Sequence, residues 1–369
     1  MNDHGSNICP KGNTSQKVFK VLELYSGIGG MRYALKVAEI PFEIVAAVDI
    51  NPIVNEIYRY NFGEDKHLQR NVQSLTVTEI ESMKVDLLTM SPPCQPFTRN
   101  GLKRDAEDSR SDSFLHVLEI LSKLRRKPPY LIVENVKGFE DSLTRSSLIK
   151  TLEGAGYLFQ EFLLSPSDFG IPNSRLRYYL LAELKDASSS TKMGCLKINK
   201  FNFYCCPKCL IETESLSKKH CILGHFLEEK AEKYFDNFLI PENVLLKHWL
   251  VLDIVDPRSS HSCCFTKAYS HYVQGTGSVL TPFTDPFLSD VFRRVSTSEN
   301  QDEKLKLLKS LKLRYFTPKE VANIMYFPKN FDFPEHLSTK QRHKALGNSL
   351  NVFVVACLFK SLFKVDNNR

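Results

Sequence analysis

The stretch VFKVLELYSGIGGMRYALKVAEIPFEIVAAVD, residues 18–49, decides the fold that we predict for this chain. At its two ends, apolar residues fill nearly every position of a short run, which is typical of strands buried on both faces. Between these runs a glycine cluster opens a segment with helical periodicity. A strand, a helix and a second strand in this order predict a βαβ unit with parallel strands.

The same alternation continues to about residue 185. Apolar runs at 85–90, 129–136 and 175–184 are separated by segments of helical periodicity. We therefore predict an α/β fold with a doubly wound, mainly parallel sheet. Three capping boxes predict where helices begin: Thr76 with Glu79, Thr317 with Glu320, and Ser338 with Gln341.

Composition excludes several classes of protein. Of the 369 residues 42% are hydrophobic and 25% charged, which is typical of globular proteins and not of disordered or collagen-like chains. The net charge of +7 permits a nucleic-acid partner without requiring one. No apolar run approaches the roughly 18–20 residues that span a bilayer, so we expect no membrane association. The first seventeen residues lack the apolar core of a secretory signal, and we expect the ten cysteines to be thiols in the cytosol or nucleus.

Changes in sequence character predict the domain organisation. We expect a flexible tail at 1–17 and the first part of the main domain at 18–185. An inserted smaller domain is predicted at 186–315, where the alternation is lost, with parts of 186–240 lacking fixed structure. The main domain is expected to resume at 316–364 and to end in an apolar helix.

The glycine loop YSGIGG (25–30) has the position and composition of a ligand-binding turn. Glycines let the backbone approach a ligand, and a helix amino end offers free N–H groups. Asp49 ends the next strand, where a carboxylate accepts ribose hydroxyls. A dinucleotide fingerprint would need glycine at position 32, where Arg32 stands, so a nucleoside with a carboxylate tail, S-adenosylmethionine, fits better. An ordinary tight turn remains the alternative.

A second loop, SPPCQPF (91–97), follows the strand at 85–90. Its three prolines fix φ and remove N–H donors, so neither a helix nor a sheet ladder can use it. A rigid loop at the carboxyl end of a strand suits a positioned nucleophile, Cys94. Cys94 as a small buried hydrophobe is the alternative.

Charged residues on two further strands complete the candidate site. Glu134 ends the strand at 129–136 and is predicted at the same sheet edge as Cys94, where it can bind or protonate a base. Arg175 and Arg177, two residues apart, share one face of a strand and can lower a thiol pKa or hold oxygens. The alternatives are a surface or helix-capping carboxylate and an exposed charged edge.

Taken in order, these segments resemble the cytosine-C5 methyltransferase family. The resemblance is carried by the glycine loop, Asp49, PCQ (93–95), ENV (134–136), Arg175 with Arg177, and GNS (347–349). The segments CFTKAY (264–269), GTGS (275–278) and KLRYFT (312–317) are similar to the branch that methylates transfer RNA. Asn173 stands where DNA-directed relatives usually have Gln, which also fits that branch. The implied fold is a Rossmann-like, S-adenosylmethionine-dependent methyltransferase sheet with an inserted target-recognition domain.

The resemblance also implies a mechanism. The Cys94 thiolate would add to cytosine C6, so that C5 can take a methyl group. Glu134 would engage N3 and the exocyclic amine, and Arg175 and Arg177 would hold the base and the thiolate. The implied cofactor site comprises Tyr25, Ile28, Gly29, Gly30, Asp49, Ile50, Val72, Gln73, Ser91 and Asn348, with Val72 and Gln73 at the end of the third strand.

The implied substrate is cytosine 38 in the anticodon loop of aspartate transfer RNA, and we expect a monomer. Two alternatives stay open: the same chemistry on DNA, and a non-catalytic nucleic-acid-binding scaffold. The insert carries Cys206, Cys209, His220 and His225 at nearly zinc-finger spacing. Because Thr213 and Ser217 occupy sites where a finger needs apolar residues, we predict no metal.

Overall fold

A computed structural model describes residues 17–93, 112–185 and 221–364. Its main sheet has the strand order β3-β2-β1-β4-β5-β7-β6. The strands are β1 (Phe19–Leu24), β2 (Phe42–Asp49), β3 (His67–Gln69), β4 (Leu87–Met90), β5 (Tyr130–Val136), β6 (Tyr157–Leu164) and β7 (Arg177–Leu184). The first five strands pair in parallel, and β7 is antiparallel to both β5 and β6. The predicted doubly wound, mainly parallel sheet is therefore confirmed.

Helices cover both faces of this sheet. The first helices along the chain are α1 (Gly30–Val37), α2 (Pro52–Phe62), α3 (Val77–Met83), α4 (Asp112–Lys123) and α5 (Leu143–Gly154). Neighbouring residues of β1 belong to different cores, Val21 with α1 and α2, and Leu22 with α3, α4 and α5. Successive side chains of a strand point to opposite faces of the sheet, so they enter different cores. The helices cover the faces of the sheet, and the ends of the strands are left available for a site.

The chain ends in further helices, of which the last returns to the main sheet. They are α6 (Glu232–Phe235), α7 (Glu242–His248), α8 (Phe287–Thr297), α9 (Gln301–Ser310), α10 (Pro318–Ile324), α11 (Thr339–Gly347) and α12 (Val352–Leu362). Eight consecutive residues of α12 are buried, and the helix packs in the same core as α1. The apolar helix expected near the chain end is thus confirmed.

All three predicted capping boxes are present. In each, the Ser or Thr side chain accepts from the N3 backbone N–H while the N3 side chain accepts from the cap N–H. The boxes begin α3, α10 and α11. This local pairing satisfies backbone donors that a helix start otherwise leaves open.

The strand β6 is an element that the sequence pattern did not predict. It pairs antiparallel with β7 along its whole length, from Tyr157 opposite Leu184 to Leu164 opposite Arg177. β6 and β7 thus form an antiparallel pair at one edge of the sheet, and β7 also runs antiparallel to β5. Consequently the start of β7, with Arg177, lies at the carboxyl end of β5, beside Val136.

A smaller sheet of β8 (Ile254–Val255), β9 (Val279–Leu280) and β10 (Arg314–Tyr315) lies in the segment 221–315. A separate apolar core forms around α7, α8 and α9. Other residues of this segment, including Phe226, Phe265 and Tyr269, belong instead to the core that contains α1 and α12. The domain division at residues 186 and 315 stays a prediction.

One stretch, Thr339–Leu362, is long and apolar enough on average to cross a membrane, although no uninterrupted apolar run suggested it. In the structure it is not one helix, because α11 ends at Gly347 and α12 begins at Val352. Its most apolar window is 72% buried within the protein, as expected of a core helix.

Candidate active site

A cavity of about 330 Å³ lies at the carboxyl ends of β1, β2, β4 and β5. This volume is within the range of small-molecule sites, and the position is the one that open α/β sheets use. Ten residues predicted from the sequence line it: Tyr25, Ile28, Asp49, Ile50, Val72, Ser91, Glu134, Arg175, Arg177 and Asn348. The structure thus brings together side chains from both ends of the chain.

Asp49 fixes the glycine turn from the end of β2. One carboxylate oxygen accepts from the backbone N–H of Gly27 at 3.0 Å, and the other from that of Asn51 at 2.9 Å. Gly27 has φ of +52°, a left-handed conformation that favours glycine. Burial raises the pKa of Asp49, although these backbone hydrogen bonds oppose the shift. Asp49 is therefore a structural brace for the turn as well as a polar group in the cavity.

Gly29 and Gly30 do not line the cavity. A Cβ on Gly29 would lie 2.3 Å from the ring of Phe62, and one on Gly30 would lie 2.9 Å from Leu350. Packing of α1 against its neighbours accounts for the absence of a side chain at both positions. Their predicted contact with a cofactor stays a prediction.

The resemblance implied that Val72 and Gln73 lie at the end of the third strand, and this placement was wrong. β3 ends at Gln69, and Val72–Ser74 form a 3₁₀ helix that the Asn71 side chain caps. Val72 still lines the cavity, whereas Gln73 does not. Ile50 lines the same region with 62% of its surface exposed, so a flat apolar ligand would find an uncovered side chain there.

Glu134 and Arg177 form an ion pair in the other half of the cavity. Arg177 Nε lies 3.7 Å from Glu134 Oε1, and their side chains are only 15% and 10% exposed. Burial raises the pKa of Glu134 above its ordinary value, although Arg177, Arg175 and Ser91 oppose the shift. The carboxyl can therefore hold a proton at a higher pH than an exposed glutamate.

Arg175 binds backbone carbonyls. It donates to the carbonyl oxygens of Phe265 at 3.2 Å and Gly347 at 3.1 Å, and also to that of Ser349. The side chain is almost fully buried, with 3% exposure. Arg175 thus ties the loop at 265 to the turn after α11, a role that its spacing from Arg177 did not reveal.

The predicted nucleophile Cys94 lies outside the described residues, as do Cys206, Cys209 and His220 of the insert. Ser91, Pro92 and Pro93 line the cavity, so the last described residue before Cys94 belongs to the cavity wall. Within 17–93, 112–185 and 221–364 no cluster of three His, Cys, Asp or Glu side chains is arranged to hold a metal.

Several lining residues were missed by the sequence analysis, among them Asn71, Ser113 and Lys267. Lys267 reaches the cavity because its loop packs on the end of α11. A Cβ on Gly347 would lie 2.3 Å from the Lys267 backbone nitrogen, so only glycine permits this approach. The GNS motif was the available signal for that contact.

The sheet and cavity define a class of protein. A parallel sheet closed by an antiparallel hairpin, with a braced glycine turn after β1 and an acid at the end of β2, is the α/β fold of S-adenosylmethionine-dependent methyltransferases. Residues 19–364 match the family model described as C-5 cytosine-specific DNA methylase. The chain belongs to this family.

Relatives support the same assignment over almost the whole chain. A Homo sapiens protein named tRNA (cytosine(38)-C(5))-methyltransferase is 42% identical over 94% of this chain and 99% of its own length. A Dictyostelium discoideum protein named DNA (cytosine-5)-methyltransferase is 38% identical over 93% of this chain and 94% of its own. The crystal structure of a Spodoptera frugiperda DNMT2 mutant has a TM-score of 0.80 and 43% identity, covering 94% and 99% of the two chains.

Proposed function

We propose that this protein transfers a methyl group from S-adenosylmethionine to C5 of a cytosine in transfer RNA, with cytosine 38 of the aspartate species as the substrate. The observation that carries the proposal is the continuity of one cavity from the Asp49-braced turn to the Glu134–Arg177 pair. Such a cavity allows a methyl donor and a cytosine to be held next to each other. The names of the relatives in human and other organisms support the RNA substrate.

The residues at the turn fit S-adenosylmethionine. Ile50 and Val72 would enclose the adenine between apolar surfaces, and Asp49 retains lone pairs for the ribose hydroxyls beyond those used by Gly27 and Asn51. When bound there, the cofactor supplies an electrophilic methyl group. Arg32 stands at the position where a dinucleotide-binding turn has its last glycine, which agrees with a ligand that has no pyrophosphate.

The other half of the cavity suits cytosine. Glu134, with its raised pKa, can donate a proton to N3 and accept from the exocyclic amine, which favours attack at C6. Arg177 keeps this carboxyl oriented. The Cys94 thiolate would form the bond to C6, which makes C5 nucleophilic enough to take the methyl group. A base would then remove the C5 proton, and the C6–S bond would break to release Cys94 as the thiolate. A base in an unpaired loop reaches the cavity at lower cost than a base stacked in a duplex.

The test is methylation with radiolabelled S-adenosylmethionine of three acceptors: transcribed aspartate transfer RNA, the same RNA with cytosine 38 changed to uridine, and genomic DNA. We expect label in the first alone, and none with Cys94→Ala. Label that persists in the uridine variant would refute cytosine 38 while leaving transfer RNA as the substrate.

DNA is a second candidate substrate because of the Dictyostelium relative named for it. Label in DNA and none in RNA would favour this candidate. Binding of RNA without label in any acceptor would favour the non-catalytic scaffold. A 5-fluorocytidine at position 38 should trap the protein on RNA through Cys94, and methylation without trapping would refute the thiolate step.

A further inference from the structure

Among the described residues, positive side chains outnumber negative ones at the cytosine end of the cavity. Arg175 and Arg177 bring two guanidinium groups, and Glu134 brings at most one negative charge. Arg175 and Glu134 are both buried, so water screens neither of them well. An unbalanced positive charge in such a place costs free energy unless an anion lies nearby.

Cys264 is positioned to supply that anion. Its Sγ lies 3.5 Å from one terminal nitrogen of Arg175 and 3.9 Å from one of Arg177. Partial burial would raise the pKa of this thiol, but the two guanidiniums outweigh burial and the pKa is lowered. A thiolate here would bring the cluster of Glu134, Arg175, Arg177 and Cys264 to zero net charge when Glu134 is ionised, and would leave a single positive charge when Glu134 holds a proton.

The neighbouring Cys263 has opposite surroundings. The residue as a whole is exposed, but incomplete hydration of its thiol together with the Asp253 carboxylate raises the pKa of Cys263 to about 11. Two adjacent thiols in one loop therefore differ in the charge that faces them. Within the part of the chain that the structure describes, Tyr179 also faces the two arginines, and burial raises its pKa above the ordinary value.

We propose that Cys264 is a thiolate counter-ion that holds Arg175 and Arg177 in place beside Glu134. Cys264 is not among the residues that line the cavity, so it acts through the arginines and is a positioning residue. Arg177 is then shared between the sulfur on one side and Glu134 on the other, which fixes the direction of its guanidinium. Its effect on turnover rests on the function proposed above, whereas its charge state does not.

The charge state is tested by alkylation with iodoacetamide across a pH series, followed by mass spectrometry of the peptide. In Cys263→Ser the remaining thiol of the pair is Cys264, and in Cys264→Ser it is Cys263. Since the thiolate is the reactive form, the midpoint of the rate reports the pKa of each thiol. We expect Cys264 to have a midpoint clearly below the roughly 8.5 of an ordinary thiol and Cys263 well above it. A Cys264 midpoint at or above the ordinary value overturns the proposal, even if no RNA is methylated.

The positioning role is tested by turnover on aspartate transfer RNA. Cys264→Ser, which removes the charge with little change in size, should lower kcat by about tenfold while leaving KM for S-adenosylmethionine unchanged. Cys264→Asp restores an anion and should recover most of kcat, and Cys263→Ser should match the wild type. An aspartate variant that folds, as judged by thermal unfolding, and is no faster than the serine variant overturns the role. If it does not fold, an unchanged kcat in Cys264→Ser is the overturning result.

Discussion

The two halves of the cavity are held together by different kinds of interaction. In the cofactor half, Asp49 accepts from backbone N–H groups of Gly27 and Asn51, which lie within 25 residues of one another in the chain. In the cytosine half, Arg175 reaches carbonyls at Phe265 and Ser349, from segments 90 and 174 residues away. The first half depends on local backbone geometry, and the second on charged side chains that the whole fold brings together.

This difference implies that cofactor binding and turnover depend on separate sets of interactions. The cofactor half can keep its shape when a side chain in the cytosine half is changed, because the Asp49 carboxylate and the two arginines share no hydrogen-bonding partner among the described residues. Substitutions in the two halves should therefore separate into effects on cofactor affinity and effects on kcat. The following predictions test that separation, from the largest expected effect to the smallest.

Glu134→Gln should produce the largest effect. It keeps the size of the side chain but removes the acid that can protonate N3, so kcat should fall by on the order of 10²–10⁴-fold. Isothermal titration should show an affinity for S-adenosylmethionine close to that of the wild type. An affinity loss as large as the loss in kcat would mean that the two halves are coupled.

Glu23, near the end of β1, is like Glu134 a buried glutamate whose pKa is raised. It is 1% exposed and accepts a hydrogen bond from the Tyr58 hydroxyl at 3.0 Å. Burial raises its pKa from 4.5 to about 7, against the opposing effect of Tyr58 and Arg32. Between pH 4.5 and about pH 7, Glu23 is therefore protonated in the folded protein and ionised in the unfolded chain.

The free energy of unfolding should therefore fall as the pH rises through this window, by about 3 kcal/mol in all, with the contribution fully present below pH 4.5. Glu23→Gln cannot ionise and should flatten this fall in urea unfolding measured at several pH values. The exposed strand residue Glu43 provides the control, and Glu43→Gln should leave the slope as it is. A slope that Glu23→Gln does not change would show that Glu23 is not its source.

Gly347→Ala should lower stability by about 2 kcal/mol, because its Cβ would lie 2.3 Å from backbone atoms of Thr266 and Lys267. Gly154 is the matched control, since it also ends a helix but has no atom within 4 Å of an added Cβ. Gly154→Ala should be neutral or stabilising by up to about 1 kcal/mol. Equal thermal shifts for the two variants would contradict the close contact at Gly347.

Asp49→Asn should have the smallest effect and the opposite kinetic signature to Glu134→Gln. An amide replaces one acceptor with a donor that faces an N–H group, so KM for S-adenosylmethionine should rise by about tenfold. The kcat value should stay close to that of the wild type in initial-rate assays. The exposed Asp65→Asn serves as the control, and a fall in kcat for Asp49→Asn would break the proposed separation.

Much of the cofactor half could be predicted because its signals are local. The glycine loop follows β1 directly, Asp49 ends β2, and three capping boxes begin their helices where the sequence indicated. The position of Val72 was less accurate, because it was taken from the resemblance, whereas the Asn71 side chain locally caps a 3₁₀ helix that begins at Val72.

The contacts of the cytosine half could not be predicted in the same way. The strand β6 was missed, and with it the reversal that puts Arg177 beside Val136. The carbonyl partners of Arg175 carry no side-chain signature, and Cys264 contacts the arginines across 87 and 89 residues. Such contacts depend on how distant segments pack, which neither periodicity nor spacing encodes.

The carbonyl groups that receive Arg175 have a consequence for biosynthesis. Two of them, at Gly347 and Ser349, lie 172 and 174 residues after Arg175 and are therefore made much later than β1 to β7. A nascent chain that has already formed β1 to β7 still has a buried guanidinium without these acceptors, and α12 is not yet there to cover α1. Arg175 therefore gains these two acceptors only after residues 347 and 349 have been made, and a product of premature termination before residue 347 lacks both of them.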